Sequence, residues 1–222
     1  MNKLLKIFYF LVLVFLILLL FLKEVDFRNM FYKNIKEVKN PNDILVLVNK
    51  NNKLSEYFVP NDLETIDVKY SNEGKMLKKE AKEAFERLSE DASKLGYKIV
   101  AVSGYRDYKY QENLFNYYVD KYGEDYALSC SAKPGHSEHQ TGLAVDVMGS
   151  NNSYDDFEMS DEFEWMSTNS YKYGFILRYP SGKENITGFK YEPWHYRYVG
   201  EEVAKIIYEN NLVFEEYLKG DY

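Results

Sequence analysis

An unbroken apolar run from Ile7 to Leu22 is the feature that most restricts how this chain can fold. The run has no polar face, so it does not suit a helix packed on the surface of a globular core. Lys3 and Lys6 precede it, and Lys23 follows it. With the leucines just before it, the run approaches the roughly 20 residues that a helix needs to cross a hydrocarbon core. We therefore predict one N-terminal transmembrane helix over residues 7–22.

A cleaved signal peptide is the alternative interpretation of this segment. Signal peptides have an apolar region of about 7–15 residues, followed by small residues at a cleavage site. The residues after Leu22 are KEVDFR, which contain no such pattern, so an uncleaved signal anchor is favoured. The positive-inside rule then places residues 1–6 in the cytoplasm and the rest outside, on a single-pass protein of the cell membrane.

The remainder of the chain is predicted to form a stalk, residues 23–42, and an extracellular domain, residues 43–222. The stalk is charged and lacks clear periodicity. The formal net charge of −7 argues against a general nucleic-acid binder, because such proteins carry a basic patch. The single cysteine, Cys130, excludes an intramolecular disulfide and a CxxC-type zinc site, and we expect it to be an inert small residue.

Hydrophobic periodicity predicts an α+β domain in which helices pack on a small, mostly antiparallel sheet. Apolar residues at helical spacing predict a long helix from Leu77 to Leu95, with Gly96 at its stop. Asp107 is a candidate N-cap for a second helix. The other predicted elements are a strand or surface arm at 43–48, strands at 98–103, 143–148, 175–179 and 194–199, and helices at 161–171 and 201–210.

All three histidines lie in two short segments, whose sequences are PGHSEHQTGLAVD and EPWH. A hydrolytic zinc ion needs three protein ligands and one open position for water, and neutral imidazole and carboxylate groups suit it. His139, Asp146 and His195 supply such a set. We assign His136 a structural role, because no further metal partner requires it.

The spacing within each segment sets a geometric condition on this metal site. A continuous strand would point His139 and Asp146 to opposite faces, so we expect a loop, a bend at Gly142 and then a strand. Pro193 disfavours a helical conformation at Glu192 and suits a turn that enters a strand. A glutamate on such a turn can lie beside the metal without binding it, which is where a general base for hydrolysis belongs.

A third motif, SGYR, ends at Arg106 and follows a predicted buried strand. The end of a core strand holds a side chain rigidly, and an arginine there suits a two-pronged contact with a substrate carboxylate. From the spacing alone, a surface ion pair is an equally good interpretation of this arginine.

Together these motifs resemble the VanY-type D-alanyl-D-alanine carboxypeptidases, which group with lysostaphin-type zinc peptidases and the hedgehog signalling domain. The resemblance covers roughly residues 43–210. It rests on SGYR with Gln111 five residues after its arginine, on SxHxxGxAxD from Ser137 to Asp146, and on ExxH from Glu192 to His195. One departure is Asp107, where relatives often have a serine.

The resemblance implies a zinc-dependent hydrolase. Glu192 would take a proton from the attacking water and later pass it to the leaving amine, and Arg106 would hold the terminal carboxylate of D-Ala. Ser137 and Gln111 would position the substrate backbone. The substrate would be a peptidoglycan stem peptide, or a lipid-linked precursor, that ends in D-Ala-D-Ala and loses its terminal D-Ala. The implied Zn²⁺ ligands are His139, Asp146 and His195.

Other functions fit the same motifs. A D-Ala-D-Ala dipeptidase or an endopeptidase that cuts L-Ala-D-Glu would use the same zinc centre. Dipeptidases act on a small free substrate, usually in the cytoplasm, so the predicted anchor counts against that function. A non-catalytic, metal-stabilised module that binds the cell wall is a further alternative. The presence of both Glu192 and Arg106 favours an enzyme.

Overall fold

The computed structural model describes part of the chain, and the described residues are 6–17, 31–149, 153–154 and 156–220. The chain divides into two compact units, Met1–Ile35 and Lys36–Tyr222. The second unit therefore starts before the predicted domain boundary at Asp43.

The first unit contains α1, a helix over residues 6–17 whose side chains are all exposed. Among the helices that lie within the described residues, none is long and apolar enough to cross a membrane. Residues 18–22 of the predicted transmembrane helix lie outside the described part of the chain, as do residues 23–30 of the predicted stalk. The structure thus gives the predicted membrane anchor no support, and the anchor stays a prediction.

The strands of the second unit are short. They are β1 (Lys36–Glu37), β2 (Asn52–Lys53), β3 (Leu63–Thr65), β4 (Met76–Lys78), β5 (Val100–Ser103), β6 (Ala144–Met148), β7 (Phe175–Leu177) and β8 (His195–Tyr198). Strand β1 pairs in parallel with β2, so the end of the predicted stalk is part of this unit. Strands β3 and β4 form an antiparallel pair.

A four-stranded sheet with the order β5-β6-β8-β7 lies at the centre of the second unit, and all its neighbouring strands are antiparallel. All five residues of β6 are buried, as expected for an inner strand that is covered on both faces. The α+β prediction is confirmed, and the strands predicted at 98–103, 143–148, 175–179 and 194–199 are the four strands of this sheet.

The second unit also contains helices. They are α2 (Lys79–Lys94), α3 (Tyr108–Tyr122), α4 (Glu124–Cys130), α5 (Asp161–Asn169), α6 (Glu184–Thr187), α7 (Glu201–Glu209) and α8 (Phe214–Lys219). Helix α2 buries an apolar face that includes Phe85 and Leu88. It ends just before Gly96, as predicted, but it starts at Lys79 because Leu77 belongs to β4. The Asp107 carboxylate accepts a hydrogen bond from the Tyr110 amide at 2.6 Å, which confirms Asp107 as the N-cap of α3.

The apolar run at 43–48 is an arm without regular strand structure. Val46 and Val48 bury their side chains in the core. Arg197 of β8 donates from one guanidinium nitrogen to the carbonyl oxygens of Ile44 and Val46, both at 2.9 Å. These contacts replace strand pairing and hold the arm against the sheet.

Candidate active site

Asp146 and His195 lie opposite each other on the two inner strands of the sheet. They are direct partners in the antiparallel register of β6 and β8. Residues directly opposite in such a pair have Cβ atoms about 4.5–5.5 Å apart, so their side chains meet on one face. The Asp146 Oδ1 atom lies 3.1 Å from His195 Nδ1.

His139 reaches the same place from the turn that precedes β6. It lies in a short 3₁₀ helix, Glu138–Thr141, that ends at Gly142. Its Nε2 atom is 3.2 Å from Asp146 Oδ1, and its ring centroid is 4.9 Å from that of His195. His139 Nδ1 lies 2.7 Å from the Gly104 carbonyl oxygen. A carbonyl can only accept, so Nδ1 carries the proton and the Nε2 lone pair faces Asp146.

Gly142 produces the bend that separates His139 from β6. Its φ is +69°, in the left-handed region that favours glycine. A Cβ atom at this position would lie 2.8 Å from Leu63 Cδ2 and 3.2 Å from the Lys78 amide nitrogen. The Gly142 carbonyl also accepts a hydrogen bond from that amide at 2.8 Å, so the two backbones cannot separate freely.

Replacing Gly142 with alanine is therefore expected to destabilise the protein by about 1–3 kcal/mol from the left-handed backbone alone, and the clash of the new Cβ with Leu63 and Lys78 should add to this loss. Urea denaturation measures this change in the free energy of unfolding. Gly182→Ala is the matched control, because Gly182 has φ +82° but nothing within 4 Å of its added Cβ. A Gly142→Ala variant that is no less stable than Gly182→Ala would contradict the steric argument.

The three converging side chains fit a zinc ion. One ligand atom from each of His139, Asp146 and His195 lies within 4.8 Å of the other two, and all three residues are buried. A tetrahedral centre with bonds of about 2.0–2.1 Å separates its ligand atoms by about 3.3 Å. In the described structure, His139 Nε2 and Asp146 Oδ1 are buried and have no hydrogen-bond partner. A cation between them would satisfy both atoms.

The electrostatics favour the ligand forms of His139 and Asp146. Burial and the positive charge of Arg106 lower the pKa of His139 to about 4, so its imidazole is neutral. Although burial opposes it, the positive charge of His195 helps to keep the pKa of Asp146 well below its usual range. His195 differs: burial disfavours its charged form, but the Asp146 and Glu138 carboxylates raise its pKa to about 9. A metal ion that binds this ring must therefore displace a proton.

Glu192 lies beside the three clustered side chains. Its amide donates to the Tyr179 carbonyl at 3.0 Å, and its carbonyl accepts from the His195 amide at 3.1 Å, which forms the turn into β8. Its Oε2 atom is 3.7 Å from His195 Nδ1. Burial raises the pKa of the Glu192 carboxyl to about 7, and the negative charge of Asp146 adds to this increase. A cation bound next to it would favour the carboxylate, the form that accepts a proton.

Arg106 lies beside Asp146. Its Nη1 atom is 4.0 Å from Asp146 Oδ2, and its amide donates to the His139 carbonyl at 3.2 Å. In the described structure its buried Nε has no hydrogen-bond partner, so the guanidinium retains a donor for an anionic ligand. Gly104 of the SGYR motif allows close packing here, because a Cβ atom at this position would clash with the Met76 carbonyl oxygen.

A comparison with protein families decides the assignment of this chain. The family model for VanY, described as D-alanyl-D-alanine carboxypeptidase, matches residues 74–201. This range is more than half of the chain, and it includes every residue of the site described above. The chain belongs to the VanY family. The resemblance that the motifs carry is thereby confirmed.

Individual relatives agree with the VanY assignment. YodJ of Bacillus subtilis (strain 168) is 42% identical over an aligned length of 212 residues, and the alignment covers 88% of this chain and 77% of YodJ. The structure of the LdcB LD-carboxypeptidase matches with a TM-score of 0.79 and 43% identity, over 84% of this chain and 91% of LdcB. A VanY D,D-pentapeptidase in complex with Zn(II) matches with a TM-score of 0.69 and 35% identity, over 78% and 98% of the two chains. This VanY-family chain is a peptidase of the carboxypeptidase type.

The two predicted substrate-positioning residues of this VanY-family protein have different surroundings. Ser137 is buried at the start of the 3₁₀ helix that carries His139. Gln111 is buried on α3, where its amide nitrogen donates to the Ala132 carbonyl at 2.8 Å. Its Oε1 atom is buried and, among described groups, has no hydrogen-bond partner. No described contact joins Gln111 to the three clustered side chains, so its role rests on the resemblance.

Sequence analysis missed two residues near this site. Tyr154 packs edge-on against Trp194, with ring centroids 5.0 Å apart, and burial together with the Asp146 charge raises the pKa of its hydroxyl. Glu138 lies within the histidine motif, and its side chain is completely buried. A glutamate flanked by two residues of a proposed site was a usable signal, but the sequence does not reveal the partners that allow its burial.

Proposed function

We propose that this protein is a zinc-dependent D,D-carboxypeptidase that releases the C-terminal D-Ala from peptidoglycan stem peptides ending in D-Ala-D-Ala. The observation that carries the proposal is the meeting of His139, Asp146 and His195 ligand atoms within 4.8 Å, with Glu192 near His195 and Arg106 near Asp146. The VanY family assignment supports the substrate class, and the Zn(II) complex of a VanY relative supports the metal.

In this proposal, His139, Asp146 and His195 would hold a zinc ion. When bound, that ion would supply Lewis-acid activation of the scissile carbonyl and of the attacking water at neutral pH. Glu192 accepts a proton from the attacking water and delivers it to the leaving amine of D-Ala. Arg106 binds the terminal carboxylate of the substrate and so places the last peptide bond beside Glu192.

Mass spectrometry of muropeptides incubated with the full-length protein tests this activity. A pentapeptide stem ending in D-Ala-D-Ala should lose one alanine, and a chelator should abolish the loss. Loss of a dipeptide would indicate a dipeptidase, and an internal fragment would indicate an endopeptidase. No cleavage of any stem by zinc-loaded protein would favour the non-catalytic wall-binding module.

An L,D-carboxypeptidase is the second candidate, because the LdcB LD-carboxypeptidase matches this chain with the higher TM-score and identity of the two structures compared. Such an enzyme removes D-Ala from a stem whose penultimate residue has the L configuration. Tetrapeptide and pentapeptide stems at equal concentration separate the two activities. Faster cleavage of the tetrapeptide would replace the D,D assignment with the L,D assignment.

Arg106 is expected to act through the terminal carboxylate. Arg106→Ala should lower kcat/KM by about 10²-fold on a free C-terminus, since a desolvated charge-assisted contact contributes about 1.5–3 kcal/mol. An amidated peptide lacks that carboxylate and should be affected far less. The measurement is kcat/KM for both peptides with the wild type and the variant. Equal losses on the two substrates would show that Arg106 is structural.

We further propose that the apolar run at 7–22 anchors the protein in the cell membrane, with residues 36–222 outside, where stem peptides and lipid-linked precursors lie. The length of the run and the lysines that precede it support this location. Fractionation of cells that express the full chain is the test. Recovery in the soluble cytoplasmic fraction would contradict it.

A further inference from the structure

The Glu138 carboxylate is a completely buried charged group beside the candidate metal site. It immediately precedes His139, and its side chain has no exposed area. Its Oε1 atom accepts hydrogen bonds from Arg178 Nε at 2.8 Å and from Arg197 Nη1 at 3.0 Å. Two arginines, both also completely buried, therefore keep this glutamate ionised and fix the orientation of its carboxylate.

The other oxygen of this carboxylate faces a ring nitrogen of His195. Glu138 Oε2 lies 3.5 Å from His195 Nε2. Within the described residues, both atoms are buried and neither has a hydrogen-bond partner of its own. An oxygen that can only accept and a nitrogen that can donate are thus left facing each other, and each is the available partner of the other.

The tautomer of His195 depends on this contact. Its Nδ1 atom faces Asp146 Oδ1 at 3.1 Å, so Nδ1 is the atom that points into the three-residue cluster. A neutral imidazole can bind a metal through Nδ1 only when its proton is on Nε2. A carboxylate acceptor at Nε2 selects that tautomer and holds the ring in the plane that the metal requires.

We propose that Glu138 is a positioning residue for the metal site: it accepts the Nε2 proton of His195 in a hydrogen bond and directs Nδ1 toward the ion. The proposal rests on the zinc site of the proposed function and deepens it. Arg178 and Arg197 serve this role by occupying Oε1, which leaves only Oε2 for the histidine.

A purely structural role for Glu138 is the competing explanation. Arg178 also binds Glu215 of α8 with hydrogen bonds of 2.8 and 2.6 Å, and Arg197 holds the arm at 43–48. Glu138 therefore belongs to a buried ion network that connects distant parts of the chain. The test therefore needs two variants that each remove one negative charge from this network. One must change the contact with His195, and the other must leave that contact intact.

Glu138→Gln and Glu215→Gln are the matched pair. Both remove one negative charge from the network, but only Glu138 faces His195. In Glu138→Gln, the amide oxygen stays with the two arginines, so the NH₂ group points at His195 Nε2. A donor there favours the tautomer with its proton on Nδ1, the nitrogen that must bind the metal.

The measurement is the affinity of the full-length protein for Zn²⁺ alone, by competition with a chromophoric chelator. Glu138→Gln should bind zinc about 10- to 100-fold more weakly than Glu215→Gln, the usual effect of removing an outer-shell partner of a ligand. The visible spectrum of the Co²⁺-loaded protein should also change in Glu138→Gln only. Equal zinc affinities in the two variants would overturn the proposal. A wild type that fails to bind zinc would instead refute the proposed function.

A measurement on the wild type covers the case in which Glu138→Gln does not fold. The chain has only three histidines, so ¹⁵N-histidine labelling resolves each ring by NMR. In the zinc-loaded protein, His195 should be bound through Nδ1 and should carry a slowly exchanging proton on Nε2. Coordination through Nε2, or an Nε2 proton that exchanges freely with solvent, would overturn the proposal.

Discussion

Replacing Glu192 with glutamine is expected to lower kcat on the stem peptide by about 10²- to 10⁴-fold, the range that general acid–base catalysis contributes. Glutamine has nearly the same shape but cannot accept the proton of the attacking water. Glu192 Oε2 lies 3.7 Å from His195 Nδ1, beside the three clustered side chains and outside them. The variant should therefore still bind one zinc ion per chain.

Two measurements make the Glu192 experiment decisive. Metal analysis of the purified variant shows whether zinc remains, and kcat under saturating substrate reports the proton transfer. Glu164→Gln, on an exposed position of α5, is the control for loss of a carboxylate elsewhere and should keep wild-type activity. Full turnover by Glu192→Gln would remove Glu192 as the general base. Loss of zinc together with activity would mean that it is a ligand.

Local sequence patterns predicted the elements that carry this site. The period of the apolar residues predicted α2, and a compact apolar run predicted β6, because both elements bury side chains that are close in sequence. The alternation argument at His139 and Asp146 also required a bend, and Gly142 supplies it. In each case the information lies within about ten residues of chain.

Local sequence patterns did not predict the contacts between residues that are far apart in sequence. The arm at 43–48 has strand-like composition, but the Arg197 guanidinium takes up its carbonyl groups. The 3.1 Å approach of His195 to Asp146 depends on the register of β6 and β8, which no local signal specifies. Only the chemical requirement for three metal ligands, and then the resemblance, connected these residues.

Buried charge was the feature that sequence reasoning predicted least well. Glutamate and arginine usually lie on the protein surface. The exposed fraction of the side chain is nevertheless zero for Glu138, Arg178 and Arg197. Such residues are buried only when their charges are paired. The arginines that pair with Glu138 lie 40 and 59 residues away in sequence, so local sequence patterns do not predict this pairing.

The largest effect on the metal is expected from His139→Ala. This change removes one of three converging ligand atoms and should weaken zinc binding by more than about 100-fold, since losing an outer-shell partner alone costs 10- to 100-fold.

His136→Ala is the matched control for this variant. His136 is a buried histidine of the same segment, and its ring bonds to the Asn49 carbonyl at 2.8 Å, outside the cluster at the metal site. The His136→Ala variant should be less stable than the wild type but should bind zinc equally well. Stoichiometric zinc in dialysed His139→Ala would refute the ligand role. Each variant removes one imidazole, and only the imidazole of His139 lies next to Asp146. An equal loss of zinc from both variants would therefore show that zinc binding depends on packing in this segment and not on His139 as a ligand.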